Sequence, residues 1–234
     1  MFSGMFAALG VWQMKRLAWK QALIARVERN VNAAPAAAPG PAAWPQLERA
    51  EAEYRRVRLQ GRFAHELETL VGASTELGTG YWVLTPLKTA QGDWVLVNRG
   101  FVPPEQKARA RRAGAEPTGE QEVVGLLRFS EPGGRLLQDN DPVLGRWYSR
   151  DVQAIALARG LPVQDLAPYF VDAVAGPTAA HGWPRAGLTV LRFSNNHAVY
   201  AATWFALAAM VACAAGYLVV DERRLAGDPR LANA

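Results

Sequence analysis

The sequence predicts an α+β membrane protein: a strand-rich soluble domain on an antiparallel sheet, between a truncated N-terminal and a longer C-terminal apolar helix. Three observations carry this. Ala198 to Val220 is an uncharged run of 23 residues that stops at Asp221, Glu222, Arg223 and Arg224. At about 1.5 Å of rise per residue, a helix of that length covers the roughly 30 Å hydrocarbon core of a bilayer. The other end, MFSGMFAALGVWQM, is uncharged over 14 residues. Between the two ends apolar and polar residues alternate at period two, as in strands with one wet face.

The first run is too short to span a bilayer comfortably. It continues into KRLAWKQALIARVERN, where Leu17, Ala18, Leu23, Ile24 and Val27 recur at helical spacing against Lys15, Lys20, Arg26 and Arg29. One helix is expected from about Met5 to about Asn30, with residues 1–30 partly embedded in the membrane. Either the start codon is placed late and half of a spanning helix lies upstream, or this end dips only into the interface. The late start is the favoured reading.

Residues 31–53 read as an Ala/Pro-rich linker. NAAPAAAPGPAAWPQ is expected to be extended and structureless, because proline fixes φ and removes donors. The soluble domain is assigned to residues 54–193. In YRRVRLQGRF, Val57, Leu59, Gly61 and Phe63 alternate with Arg56, Arg58, Gln60 and Arg62, which predicts a strand. ETLVGA is a short second strand. GYWVLTPLKT and DWVLVNRGFV flank AQG as a hairpin, EQKARARRAGA is a short polar helix or loop, and EQEVVGLLRF is a further strand. SRDVQAIALARGL is a helix, opened near Asp151 and closed by Gly160. APYFVDAVA and LTVLRF are late strands. Hairpin links between neighbours favour an antiparallel sheet. The spanning helix is placed at 197–220, capped from Ser194, Asn195 and Asn196, with 221–234 as a cytoplasmic tail.

A net charge of +5 and a pI near 9.7 raise nucleic acid or anionic lipid as partners. The basic residues are scattered and no nucleic-acid motif is present, so nucleic acid is set aside. Lysine supplies only residues 15, 20, 88 and 107 and alanine is abundant, a composition typical of a GC-rich bacterial genome. The single cysteine, Cys213, excludes an intrachain disulfide and a paired-thiol redox or copper-relay site. No hydrolase elbow, phosphate loop or zinc-protease motif occurs. GTGYWV lacks the third glycine of a dinucleotide loop and leads into a strand. DNDPVLG reads as a turn, without the glycine and terminal glutamate of a calcium loop. His65 and His181 read as surface residues without a triad arrangement.

His197 stands apart, since His197, Tyr200, Ala201, Trp204 and Ala208 share one helical face. It is either an interfacial histidine that helps cap its helix, or an axial ligand for haem iron, which a neutral imidazole suits. On the first helix Trp12, Arg16 and Trp19 share a face, with Lys15 and Lys20 close by. These are either an ordinary aromatic and basic interface belt or a cradle for a large flat ring whose propionates meet Arg16 or Lys15. Small residues at four-residue spacing in the last helix suit close helix packing.

LGVWQMKRLAWKQALI, GYWVLTPLKTAQGDWVLVNRGFVP and NNHAVYAATWFALA, in that order, together resemble the surfeit-locus (Shy-type) family of cytochrome c oxidase assembly factors. RVRLQGRF, RWYSRD and PYFVDA fit its weaker blocks. The chain departs from the family in its short first helix and in Phe101, where a tryptophan is expected. The resemblance implies two transmembrane helices in the bacterial cytoplasmic (inner) membrane, a soluble domain on the periplasmic side and both tails inside. It implies an assembly factor, not an enzyme, that binds haem a transiently and aids its insertion into the large subunit of a haem–copper oxidase. Membrane lipid and, further, a haem a synthase are the other implied partners. His197 matches the histidine of the family's NNH motif and so becomes the candidate iron ligand. Tyr200, Trp204, Trp12, Arg16, Trp19 and Lys15 complete the expected cofactor site. The alternatives are a cofactor-free membrane scaffold for oxidase subunits, a membrane-tethered periplasmic hydrolase built around His65 or His181, and a copper chaperone, which the missing thiolate pair disfavours.

Overall fold

The computed structural model describes residues 2–112, 116–134, 138–175, 182–189 and 195–226. The chain divides into two compact units, Met1–Arg26 with Leu191–Ala234, and Val27–Val190. The second unit starts within helix α1 (Phe2–Asn32). It holds β1 (Ala36–Ala37), α2 (Arg49–Ala52), β2 (Arg56–Phe63), β3 (Thr69–Thr75), β4 (Gly78–Thr89), β5 (Trp94–Val102), β6 (Glu120–Phe129), α3 (Val152–Ala158) and β7 (Leu166–Ala173). The strands pair in the order β1-β2-β6-β7-β5-β4-β3, and a further β2–β4 pairing closes β2, β6, β7, β5 and β4 into a ring.

Val57 and Leu59 of β2, Leu87 of β4, Val95 and Val97 of β5, Leu127 of β6, and Tyr169 and Val171 of β7 form one buried cluster. A cluster that draws on all five ring strands fills the barrel interior. Leu96, between Val95 and Val97, points to the other face. There it joins Leu84, Phe170 and Val71 beneath Val152, Ile155 and Ala156 of α3. Burial on both faces explains why β5 reads as a continuous apolar run while β2 alternates. The α3 cap is as expected, with Asp151 Oδ1 accepting from the Ala154 amide.

The ring closes through close backbone approach. Gly61 pairs with both Gln121 of β6 and Thr89 of β4. A Cβ at Gly61 would meet the carbonyl oxygen of Lys88 and the Leu87 side chain, so the seam requires glycine.

Some expectations are corrected. The sheet is not wholly antiparallel, because β7 runs parallel to β5 and β1 parallel to β2. The chain reaches β7 through β6 and α3, and that long crossover delivers it between β6 and β5 in the direction of β5. The Ala/Pro segment is not structureless. Ala36–Ala37 pair with Val57–Arg58, Pro41–Gln46 form a 3₁₀ turn, and the indole of Trp44 and the hydroxyl of Tyr169 both donate to the Pro39 carbonyl at 2.8 Å. Proline removes donors but leaves carbonyls, and Trp44 packs on the interior cluster. Burial pushes the Tyr169 hydroxyl up, Asp93 adding to it, so that group stays a donor. DNDPVLG is a turn as expected, tied by mutual amide bonds between Asp141 and Arg146. Helix α4 (His197–Ala226) runs past the charged stop rather than ending at Val220. Helix α1 runs Phe2–Asn32, in line with the helix expected over residues 1–30. From Val190 onward the strand expected at LTVLRF lies outside the described residues, and Leu188 and Thr189 are not in a strand.

Among the described residues one helix is long and apolar enough to cross a membrane, the His197–Arg224 stretch of α4. The α1 helix is long enough, but Lys15, Arg16, Lys20, Arg26 and Arg29 interrupt it.

Candidate functional site

Within the first unit, α1 and α4 lie antiparallel. The Asn196 carbonyl accepts the Tyr200 amide at 3.2 Å, which opens α4 at His197. Its facing stripe is His197, Ala201, Trp204 and Ala208, at helical offsets of three and four. The α1 stripe is Ser3, Phe6, Gly10 and Gln13. Ser3 Oγ donates to the Ala208 carbonyl at 2.9 Å, the Phe6 ring stacks on Trp204 at 5.7 Å, and a Cβ at Gly10 would lie 2.6 Å from the Phe205 ring. At the α4 entrance, His197 Nδ1 lies 2.7 Å from Gln13 Oε1. An amide oxygen only accepts, so Nδ1–H donates, and in the neutral imidazole that tautomer leaves the lone pair on Nε2. Among the described residues Nε2 makes no hydrogen bond. Asn195 Oδ1, two residues earlier, is buried without a partner among the described residues.

The expected site residues separate in this geometry. His197 and Trp204 sit on the helix-facing stripe, and the residue opposite His197 is Gln13. Tyr200, Trp12 and Trp19 are each more than half exposed. Arg16 lies over the Trp19 ring at 4.1 Å, one turn beyond Gln13, and Lys15 is exposed. Gln13 escaped the sequence reading because a single glutamine in an apolar run has no partner visible in the chain order. Its signal was its own polarity, one amide inside an uncharged run.

The barrel unit holds a second arrangement that the sequence did not announce. Asp172 is 2% exposed and accepts from four donors. Asn98 Nδ2 at 2.7 Å and Arg150 at 3.2 Å reach Oδ1, and Arg128 and Thr189 at 3.2 Å reach Oδ2. Glu131 accepts from Arg150 at 2.6 Å and from Arg128 at 3.1 Å, while Glu53 accepts from Arg128 at 2.8 Å. Both guanidiniums also lie over the Phe170 ring. Burial opposes the Arg128 charge, but Asp172, Tyr54, Glu53 and Glu131 outweigh it and raise its pKa. Strands β5, β6 and β7 contribute together with the loop residues Glu53, Glu131, Arg150 and Thr189, and the local sequences RFSE, WYSRD and FVDA contain no hint of their convergence.

Across β5 from Asn98, Arg99 stacks on Phe63 and its NH1 donates to His65 Nδ1 at 3.2 Å, while His65 Nε2–H donates to the Pro117 carbonyl at 3.0 Å. His65 is therefore buried, not a surface residue, because the 3₁₀ turn at His65–Leu67 folds it beneath Phe63 and Arg99. Both its ring nitrogens are engaged, Nδ1 by Arg99 and Nε2 by the Pro117 carbonyl. His181 lies outside the described residues. Burial lowers the Arg99 pKa, with Glu116 and Glu68 opposing. Arg112 clasps Glu68 at 2.7 Å and Arg109 clasps Glu116 at 2.7 Å. Among the described residues no group of carboxylates, histidines or thiols could hold a metal ion.

The Arg109–Glu116 clasp gives a pH prediction. The hydrogen bond from Arg109 holds the Glu116 carboxyl below its ordinary 4.5. Its stabilisation is complete above that ordinary value and is lost as pH falls through the depressed one. Thermal unfolding from pH 7 to pH 3 should show a shallower acid loss in Glu116→Gln than in the unmodified protein.

Residues 1–209 match the SURF1 family. A SURF1-like protein of Monosiga brevicollis is 34% identical over 214 residues, covering 86% of this chain and 78% of the relative. Surfeit locus protein 1 of Mus musculus is 33% identical over 217 residues, covering 86% and 68%. Its counterpart in Homo sapiens is 32% identical over 220 residues, covering 86% and 69%.

Proposed function

The chain belongs to the SURF1 family, and from that premise we propose a membrane-anchored assembly factor for haem–copper oxidase that carries haem a to the large oxidase subunit. It is a carrier rather than an enzyme. Its setting is the bacterial cytoplasmic membrane, with the barrel unit on the periplasmic side and membrane lipid around α4. A haem a synthase is the source from which it would receive its cargo.

The observation that carries this reading is His197, at the entrance of the apolar helix, with one ring nitrogen held by Gln13 and the other unengaged among the described residues. A neutral imidazole in that state fits an iron ligand. Arg16, one turn from Gln13, supplies a cation for a propionate, and the Phe6–Trp204 pair supplies flat apolar surface. The cargo itself would supply only its iron as an acceptor of the imidazole lone pair. Carriage requires capture and release, and no bond-making step by the protein.

The full-length protein, expressed with haem a synthesis and purified in detergent, should carry a haem a absorption spectrum that His197→Ala loses. A colourless parent protein, or undiminished haem in His197→Ala, rejects the reading. A second reading, a scaffold without cofactor, draws on the turn that leaves Val143 94% exposed beside an exposed Leu144. It predicts copurification with the oxidase and no haem spectrum.

A further inference from the structure

Gln13 is 9% exposed. A buried amide in an otherwise apolar helix pair is costly unless its hydrogen bonds do something. Among the described residues its oxygen meets the Nδ1 of His197 at 2.7 Å, from 184 residues away in the chain. We infer that Gln13 is a positioning residue: it locks His197 in the Nδ1–H tautomer, so that Nε2 presents its lone pair as the ligand atom. This rests on the haem-carrier reading for its purpose, but the tautomer itself does not.

A free neutral imidazole exchanges between two tautomers, and in one of them Nε2 carries a proton and cannot bind a metal. A hydrogen bond from the distal nitrogen to an oxygen selects the tautomer, orients the ring and increases the basicity of the ligating nitrogen. Such oxygens are commonly carboxylates. At the edge of an apolar helix pair a neutral amide does the same without burying a charge. The packing holds the amide in place. Phe6 on Trp204 and the close contact of Gly10 with Phe205 set the register that puts residue 13 opposite residue 197.

The test has a cofactor-free arm and a haem arm. In the cofactor-free arm, the full-length protein is labelled with ¹⁵N-histidine in detergent micelles at alkaline pH, and His197→Ala identifies the His197 signals. The expected spectrum has a protonated Nδ1 and an unprotonated Nε2, shifting toward the Nε2–H tautomer in Gln13→Leu. A His197 that is already Nε2–H in the unmodified protein overturns the inference, whatever the haem result. In the haem arm, Gln13→Leu should weaken haem binding by about 10-fold or more, within the range for lost ligand-orienting partners. Gln13→Glu should retain binding and lower the reduction potential, since a carboxylate makes the imidazole a stronger donor. Unchanged affinity in Gln13→Leu alongside lost binding in His197→Ala overturns the Gln13 role and leaves the carrier reading intact. A haem-free parent protein with the expected tautomer overturns the carrier reading and leaves the tautomer lock standing.

Discussion

Replacing Asp172 by alanine is expected to destabilise the barrel unit by about 3–5 kcal/mol, the cost of removing one partner from a buried ion network. The Asp172 carboxylate is the point at which Arg128 and Arg150 are both satisfied, and Asn98 and Thr189 occupy its remaining acceptor sites. Without it two guanidiniums stay buried with only Glu131 and Glu53 to answer them. Asn98 also loses its acceptor while its own oxygen still holds the Gly100 amide. The melting temperature, followed by near-UV circular dichroism of the full chain in detergent, should fall by about 10 °C or more. Glu131→Gln, at the half-buried rim of the same network, should cost less than Asp172→Ala, about 1 kcal/mol, because solvent partly screens that site. Equal losses at the two positions would show that the network is not centred on Asp172.

Gly61→Val is expected to cost about 2–3 kcal/mol by overpacking, and its damage should be local to the barrel seam. The added side chain runs into backbone, the Lys88 carbonyl, rather than into a flexible tip. It can be accommodated only by parting β2 from β4, across the register Gly61↔Thr89, Arg62↔Lys88, Phe63↔Leu87. Hydrogen exchange should rise at the amides of residues 61–63 and 87–89 before it rises elsewhere. A valine variant with unchanged exchange along that seam would mean that the ring is not held closed there.

What could be read from the chain order alone was whatever consecutive residues decide. The period-two alternation in YRRVRLQGRF located β2, AQG located the hairpin turn, Asp151 located the start of α3, and the uncharged run after His197 located α4. The three family motifs came from the same kind of reading. His65 shows the limit: its neighbours in sequence are polar and suggest solvent, yet Arg99 and Phe63 cover it. The Ala/Pro segment shows it again, since composition without periodicity suggested a free linker while Trp44 and Pro39 dock it on the barrel.

The sequence by itself determined where β2 to β7 lie, which helix is apolar enough to span a bilayer, and which histidine belongs to that helix. Only the tertiary structure decided that β7 enters parallel to β5, that Asp172 gathers Arg128 and Arg150, and that Gln13 faces His197. The reason is physical. Periodicity reports how a segment divides its own surface between apolar and wet surroundings, a property of residues a few positions apart. Which group lies across a barrel or a helix pair depends on register and packing between segments up to 205 residues apart, and chain order carries no record of that distance.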